Sequence, residues 1–224
     1  HSQQQWDSYG GSPGGGHFSP LAQITPANVA GLELAWQHRS GDFRPAREGA
    51  QGSRIGDADG PRPQSALQVT PIVVNNTLYY CTPFNRVFAL DAASGRERWV
   101  YDPGVDTDPV ALTNCRGVSS WQNPKPEGLA CDHRIFTGTL DGRLIALDGA
   151  TGRPCADFGD NGQLDLREGL GEHVRSEYGI TSPPAILGDL VITGALVLDN
   201  RRKDGPGGVV RAFDVRSGKL VWYW

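Results

Sequence analysis

The fold is decided by a turn sequence that first appears as Ala89-Leu-Asp-Ala-Ala-Ser-Gly-Arg-Glu-Arg-Trp99. It returns as Ala146-Leu-Asp-Gly-Ala-Thr-Gly-Arg-Pro-Cys-Ala156 and as Ala212-Phe-Asp-Val-Arg-Ser-Gly-Lys-Leu-Val-Trp222. In each copy the aspartate can accept hydrogen bonds from turn amides, the glycine supplies a positive φ, and alternating apolar residues flank both. A tryptophan four residues after the glycine can bury its ring against the next unit. Three copies in register, with glycines 57 and 66 residues apart, indicate repeated propeller blades.

Each copy is preceded by another predicted hairpin. The hairpin turns fall at Asn75-Asn76, Asp141-Gly142 and Gly188-Asp189, each between short apolar runs. Each unit is therefore predicted to hold about four short antiparallel strands, which makes the protein all-β. The stretch Asn28–Trp36 resembles one further outer strand that ends in the same tryptophan.

The repeats divide the chain into four parts. They are an N-terminal segment with an outer strand and a loop (1–67) and three blades (68–103, 104–158 and 181–224). Long insertions are predicted at 41–67, 104–131 and 159–180. Because propellers need about four to eight blades to close, we expect three blades to belong to a longer polypeptide.

Composition excludes several classes of protein. The net charge is −4, and the arginines are scattered through turns, so no basic surface for nucleic acid is predicted. The most apolar stretch, 190–198, is too short to span a bilayer. Cys81, Cys115, Cys131 and Cys155 lack metal-ligand spacing, so a zinc site is not expected, and both disulfides and buried free thiols remain open. The histidines share no motif, and we interpret them as structural or surface residues.

A family resemblance is carried by motifs along the whole chain. The opening Trp6-Asp-Ser-Tyr-Gly and the later His17-Phe-Ser-Pro-Leu resemble the start of pyrroloquinoline-quinone (PQQ) dehydrogenases. The motifs Leu78-Tyr-Tyr-Cys-Thr-Pro83 and Cys115-Arg-Gly-Val-Ser119 are similar to those of the membrane-bound glucose, quinate, shikimate and polyol branch. The resemblance implies an eight-bladed propeller that binds PQQ and a divalent metal, calcium or magnesium. It also implies a membrane anchor, a location on the periplasmic side of the bacterial inner membrane, a sugar or polyol substrate, and ubiquinone as electron acceptor.

The resemblance also implies cofactor contacts. Independently of it, the first strand of each blade lines the axis of a propeller, and these strands are predicted to begin around Gln68, Arg116 and Thr181. Arg116 matches an arginine that pairs with a PQQ carboxylate, and a guanidinium suits that role. Thr181 matches a hydroxyl donor, Gln68 stands where relatives carry a glutamate, and the run Thr193-Gly194-Ala195 matches a small-residue wall beside the ring. The alternatives are a surface ion pair for Arg116 and ordinary strand threonines for Thr181 and Thr193.

Two departures affect the substrate and the metal. Glucose-oxidising relatives carry a histidine after Cys-Thr-Pro, where this chain has Phe84-Asn85; these two positions are predicted to lie near the substrate and to favour quinate, shikimate or another polyol over glucose. Methanol-oxidising relatives place a metal-binding glutamate after Gly-Ala, where this chain has Leu196, so the metal ligands are unknown. The expected catalytic base would lie beyond residue 224. The same turn repeat occurs in non-catalytic propeller scaffolds of outer-membrane assembly, which is the alternative function.

Overall fold

A computed structural model describes residues 5–12, 14–45, 65–107, 113–171, 177–198 and 203–224. These residues form three four-stranded antiparallel sheets, each built in the simple order in which its strands follow along the chain. The first sheet consists of β1 (Ile72–Val74), β2 (Thr77–Cys81), β3 (Val87–Asp91) and β4 (Glu97–Tyr101). The second consists of β5 (Ser119–Gln122), β6 (His133–Gly138), β7 (Arg143–Asp148) and β8 (Gln163–Asp165).

The third sheet is interrupted by a small ladder. Its strands are β10 (Ala185–Leu187), β11 (Leu190–Thr193), β13 (Arg211–Asp214) and β14 (Leu220–Tyr223). The ladder pairs β9 (Tyr178–Gly179) with β12 (Leu196–Val197). The protein is therefore all-β and consists of propeller blades, as the repeat predicts. None of the described residues form a helix with the length and apolar character needed to cross a bilayer.

The repeated turn has the geometry that its sequence predicts. In all three copies an aspartate Oδ1 accepts a hydrogen bond, 2.8 to 2.9 Å long, from the backbone N–H three residues later. The glycine that follows has a φ of +70° to +72°. The aspartates are Asp91, Asp148 and Asp214, and the glycines are Gly95, Gly152 and Gly218. Since only glycine adopts this φ without strain, the motif fixes the turn and the two strands beside it.

Neighbouring blades are joined where a tryptophan ring covers the turn glycine. The Trp99 ring lies on Gly152, where an added Cβ would be 2.6 Å from the ring, and its Nε1 donates to the Gly149 carbonyl at 3.0 Å. Trp36 lies on Gly95 in the same way, and its Nε1 donates to the Ala92 carbonyl at 3.3 Å. The glycine therefore serves two purposes, a positive φ and space for the neighbour's ring.

The core lies between successive sheets. Ile135 packs in a cluster with residues of the first sheet, whereas its neighbour Phe136 packs in a cluster with residues of the third. Because adjacent strand residues point to opposite faces, the second sheet is buried on both sides. The outermost strand of the third sheet, β14, is exposed on both faces, with Leu220, Val221 and Tyr223 each more than half exposed.

Two local predictions are wrong. Among the described residues, Asn28–Trp36 contains a short 3-10 helix (Val29–Gly31) and pairs with no strand, and the Asn28 side chain instead accepts from the Thr25 N–H and donates to the Gln23 carbonyl. Strand β8 falls inside the predicted insertion 159–180, so the second sheet extends past residue 158. Copy two has Ala156 where the others have tryptophan, and its outer strand forms only after a further tight turn.

The predicted bounds of the first and third blades each contain one observed sheet. The exact ends of these blades stay predictions. The first sheet lies within 68–103 and the third within 181–224. Parts of the predicted insertions, residues 46–64, 108–112 and 172–176, lie outside the described residues.

Candidate cofactor-binding site

Three backbone segments that lead into the inner strands lie side by side. The amide of Thr70 donates to the carbonyl of Arg116 at 3.0 Å, and the amide of Arg116 donates to the carbonyl of Thr181 at 2.9 Å. These bonds connect all three blades at the end where each inner strand begins. The structure therefore brings the neighbourhoods of Gln68, Arg116 and Thr181 together.

Arg116 and Thr181 also interact through their side chains. The Arg116 Nη1 donates to the Thr181 Oγ1 at 2.9 Å, while Thr181 itself is buried and Arg116 is exposed. Arg116 forms no ion pair within the described parts of the chain. Arg116 also lines a cavity of about 620 Å³. A cationic fork beside a fixed hydroxyl is suited to binding a carboxylate.

The cavity has three walls. One comes from β5, through Ser119 and Ser120, and a second comes from residues 182–186 at the start of the third sheet. The third wall is formed by the N-terminal segment, with lining residues between Asp7 and Gly15. The cavity thus combines one arginine, one aspartate (Asp7), several hydroxyl groups and a glycine-rich backbone. The arginine and the hydroxyl groups are donors suited to one carboxylate of a ligand such as PQQ.

Gln68 has a polar partner that sequence reasoning missed. Asn114 Nδ2 donates to Gln68 Oε1 at 3.1 Å. Asn114 is buried, and its Oδ1 has no hydrogen-bond partner among the described residues. Its place directly before Cys115-Arg116 was the only available signal, and no local rule gives an asparagine in that position a role.

The Arg116 backbone is held by a disulfide. Cys115 is bonded to Cys81, with Cα atoms 5.9 Å apart, and both residues are buried. The bond joins the end of β2 in the first blade to the segment that carries Arg116 in the second. A second disulfide, Cys131–Cys155, closes a loop within the second blade. Of the two alternatives that the sequence left open, the structure has disulfides at all four cysteines.

The predicted small-residue wall lies at the same end of the third blade as Thr181. Thr193 ends β11, and the pairing of Ala185 with Ile192 puts that end beside the start of β10. The Thr193 hydroxyl donates to the Gly194 carbonyl at 2.9 Å. An added Cβ at Gly194 would meet no described atom within 4 Å, so packing within the described residues does not require glycine there. Thr193, Gly194 and Ala195 do not line the Arg116 cavity.

The two predicted substrate-proximal residues differ in their surroundings. Phe84 lines a separate cavity of about 480 Å³, and the Arg44 guanidinium lies 5.8 Å from its ring centroid. Asn85 is fully buried with a φ of +64°, and its Oδ1 accepts a hydrogen bond from the Leu140 amide at 2.7 Å. Asn85 therefore joins the β2–β3 loop to the second blade, and a substrate contact for either residue stays a prediction.

The described histidines have structural surroundings. Burial lowers the pKa of His133, which outweighs the opposite effect of the Asp148 charge, and its Nε2 lies 2.9 Å from the Ser120 hydroxyl. His38 lies between the Tyr80 hydroxyl at 2.6 Å and the Glu97 carboxylate at 2.7 Å. His173 lies outside the described residues.

Metal-ligating atoms meet at one place among the described residues. Cys131, Cys155 and Asp157 lie within 4.8 Å of one another. The two cysteines are bonded to each other, so neither offers a thiolate to a metal. The zinc-like interpretation of this cluster is therefore excluded.

Comparison with known proteins places this geometry in a family. Residues 6–224 match the family model described as "PQQ: Glucose/ethanol/alcohol dehydrogenase, beta-propeller domain". The chain is 38% identical over 98% of its length to "Quinate/shikimate dehydrogenase (quinone)" of Acinetobacter baylyi, of which it covers 27%. It is 37% identical over 99% of its length to "Quinoprotein glucose dehydrogenase" of Escherichia coli, again covering 27%. The chain thus spans about a quarter of the length of these curated relatives.

Solved structures agree. The quinohemoprotein alcohol dehydrogenase ADHIIG of Pseudomonas putida aligns with a TM-score of 0.70 at 30% identity, over 99% of this chain and 26% of that one. The quinohemoprotein alcohol dehydrogenase of Comamonas testosteroni gives 0.70 at 26% identity, over 100% and 27%. The match of fold, repeat and motif over almost every residue leads to one conclusion: this chain belongs to the PQQ-dependent glucose/ethanol/alcohol dehydrogenase family of β-propellers.

Proposed function

We propose that the chain is part of a quinoprotein dehydrogenase that oxidises a sugar or polyol with PQQ and passes the electrons to ubiquinone. The observation that carries the proposal is the Arg116–Thr181 pair at the edge of the 620 Å³ cavity. Relatives named for quinate/shikimate, glucose and glycerol support the substrate class. The relative named as a quinone-dependent enzyme supports the acceptor.

Each residue has a defined part in the proposal. Arg116 would bind a carboxylate of PQQ, with Thr181 as the adjacent hydroxyl donor that also fixes the guanidinium. Gln68, held by Asn114, would hydrogen-bond the quinone, and Thr193, Gly194 and Ala195 would line one side of the ring. PQQ supplies the redox chemistry when it is bound, and the protein supplies position and electrostatics. We assign no residue of this chain to the divalent cation, calcium or magnesium, that the proposal includes.

The setting of the whole protein is proposed as well. We place the propeller on the periplasmic side of the bacterial inner membrane, attached by an anchor elsewhere in the polypeptide. Two disulfides among the described residues support an oxidising compartment. The alternative of a non-catalytic outer-membrane assembly scaffold is weaker, because the dehydrogenase family model covers residues 6–224.

The proposal is tested by titrating PQQ and calcium into the whole protein. We expect Arg116→Ala to weaken PQQ binding about 10- to 100-fold, because a hydrogen bond to a charged group contributes about 1.5–3 kcal/mol. Arg116→Lys should recover only part of the loss, since an ammonium lacks the planar pair of donors. Arg96→Ala is the matched control, because Arg96 is an exposed arginine on the β3–β4 turn. Equal binding by Arg116→Ala and the control would refute this placement of the cofactor.

A further inference from the structure

The N-terminal segment pairs with the inner edge of the first blade. Trp6 and Val73 form an antiparallel bridge in which the Trp6 amide donates at 2.9 Å and the Val73 amide donates at 2.8 Å. The partner strand β1 is the innermost strand of its blade, and its free edge faces the axis of a propeller. Trp6 and its neighbours therefore lie in the axial channel rather than on the outside of the blades.

The segment is fastened at the end of the channel far from Arg116. Gln5 Nε2 donates to Asn75 Oδ1 at 3.2 Å, and Gln122 Nε2 donates to Gln5 Oε1 at 3.4 Å. Asn75 lies on the β1–β2 turn, and Gln122 ends β5, whereas Arg116 precedes the start of β5. Arg116 and Gln122 are six positions apart, and six residues of extended chain span about 20 Å. Because the segment is antiparallel to β1, it runs from Gln5 toward the level of Arg116.

Beyond Trp6 the segment folds into a compact loop. The amide of Gly11 donates to Ser8, that of Gly15 to Ser12, and that of His17 to Gly10, each at 2.9 Å. These bonds turn the chain back on itself, and residues of this loop form one wall of the cavity that contains Arg116.

Two glycines of the loop, Gly10 and Gly11, are required by contact. An added Cβ at Gly10 would collide with the backbone of Gly15. Gly11 has a φ of +77°, and an added Cβ there would lie 2.7 Å from the Trp6 ring. By contrast, an added Cβ at Gly16 would meet no described atom within 4 Å. Gly10 and Gly11, which belong to no phosphate-binding motif, thus have a steric explanation.

From these contacts we infer that the segment formed by residues 5–12 and 14–17 is a plug that closes the axial channel beside Arg116 and thereby retains the bound cofactor. The inference rests on the proposed function for the identity of that cofactor, a planar tricarboxylate anion. The plug places hydroxyl groups, backbone and the Tyr9 ring against the ligand cavity. Its role is to slow escape of the ligand, whereas Arg116 provides the charge that binds it.

The test compares Gly10→Val with Gly16→Val in the whole protein. Gly10→Val forces the loop to open, whereas Gly16→Val places the same side chain in open space. We expect Gly10→Val to raise the dissociation rate of PQQ about tenfold or more, since such changes act mainly on dissociation. Gly16→Val should leave that rate unchanged. Trp6→Ala, which removes the ring from Gly11, provides a second variant should Gly10→Val fail to fold.

A second measurement needs no PQQ. Ser119 lines the cavity and is half-buried, so Ser119→Cys introduces a thiol whose labelling by a charged reagent reports solvent access. The labelling rate should rise several-fold when Gly10→Val or Trp6→Ala is added, and should not change with Gly16→Val. Unchanged labelling and unchanged PQQ dissociation would overturn the plug. If Arg116→Ala still weakened PQQ binding in that case, the proposed function would stand and the plug alone would be wrong.

Discussion

The two disulfides allow stability to be separated from ligand binding. Cys81–Cys115 closes a segment of 34 residues and Cys131–Cys155 one of 24. The chain-entropy relation for crosslinks gives losses of about 3.8 and about 3.5 kcal/mol when these bonds are removed. Replacing each pair by alanines should therefore lower the free energy of unfolding by nearly the same amount.

Their positions predict different effects on the ligand. Cys115 directly precedes Arg116, whose backbone bonds both neighbouring blades. Removing Cys81–Cys115 gives this segment freedom that binding must then restrict, and loss of preorganisation lowers affinity. The Cys81→Ala/Cys115→Ala variant should bind PQQ about tenfold more weakly, equivalent to about 1.4 kcal/mol. The Cys131→Ala/Cys155→Ala variant should bind within about twofold of the parent, a change well under that 1.4 kcal/mol.

Two assays on the same samples decide the matter. Urea unfolding followed by tryptophan fluorescence and by circular dichroism gives the stability change, provided that the two transitions coincide. Titration with PQQ at low urea gives the affinity. Equal weakening of PQQ binding in both variants would refute the reasoning, because the effect would then follow global stability rather than the position of Cys115. A stability loss under about 1 kcal/mol for either pair would refute the loop-closure argument.

Three further predictions concern the blades. Gly152→Ala should destabilise the protein by about 1–3 kcal/mol in urea unfolding, because an alanine at φ +72° is strained and its Cβ meets the Trp99 ring; a loss no larger in the parent than in a Trp99→Ala background would contradict the docking. Burial alone raises the pKa of Asp148, but backbone and hydroxyl hydrogen bonds outweigh it and lower that pKa, so its stabilisation is present above pH about 4 and is lost as the pH falls further. Asp148→Asn should therefore cost about 1–2 kcal/mol at pH 7, with the difference from the parent shrinking below pH about 4 in pH-dependent thermal unfolding; a pH-independent difference would be the contrary result. Asn85→Gly and Asn85→Ala should both lose about 1–3 kcal/mol, since each leaves the buried Leu140 amide without its acceptor, and alanine should lose about 1 kcal/mol more because of the positive φ; equal losses would show that backbone strain is unimportant there.

What the sequence predicts well is local. The aspartate–glycine turns depend on residues within four positions of one another, and so does the Asn75-Asn76 hairpin, where both residues have a positive φ. The docking of Trp99 on the next turn glycine also follows, because tryptophan stands four residues after the glycine in the first and third copies, whereas copy two has Ala156 there and Gly218 meets Gly159 and Leu164 instead.

What the sequence does not predict is set by contacts between distant residues. Trp6 pairs with Val73 and Gln5 with Gln122, and nothing in the local pattern around Trp6 distinguishes a channel-lining strand from a surface segment. Four cysteines likewise allow three disulfide connectivities, and the sequence does not distinguish among them. The family resemblance named Arg116 and Thr181 as cofactor contacts, but it did not predict the hydrogen bond between them. A single arginine after a cysteine does not by itself indicate a binding site.

The tryptophan-on-glycine contacts have a consequence for how such a chain can change over time. They form at the β3–β4 and β7–β8 turns, which lie at the opposite end of the sheets from Arg116. The tryptophan contacts between blades therefore involve none of the residues of the proposed ligand site, although the Cys81–Cys115 bond and the Arg116 backbone also join blades at the ligand end. Loops at the end that carries Arg116, such as the connection between β11 and β13, can therefore lengthen or exchange residues without disturbing the contacts of Trp36 and Trp99 with their glycines. In a fold of this kind, residues at the ligand end can change while the tryptophan–glycine contacts between blades are kept.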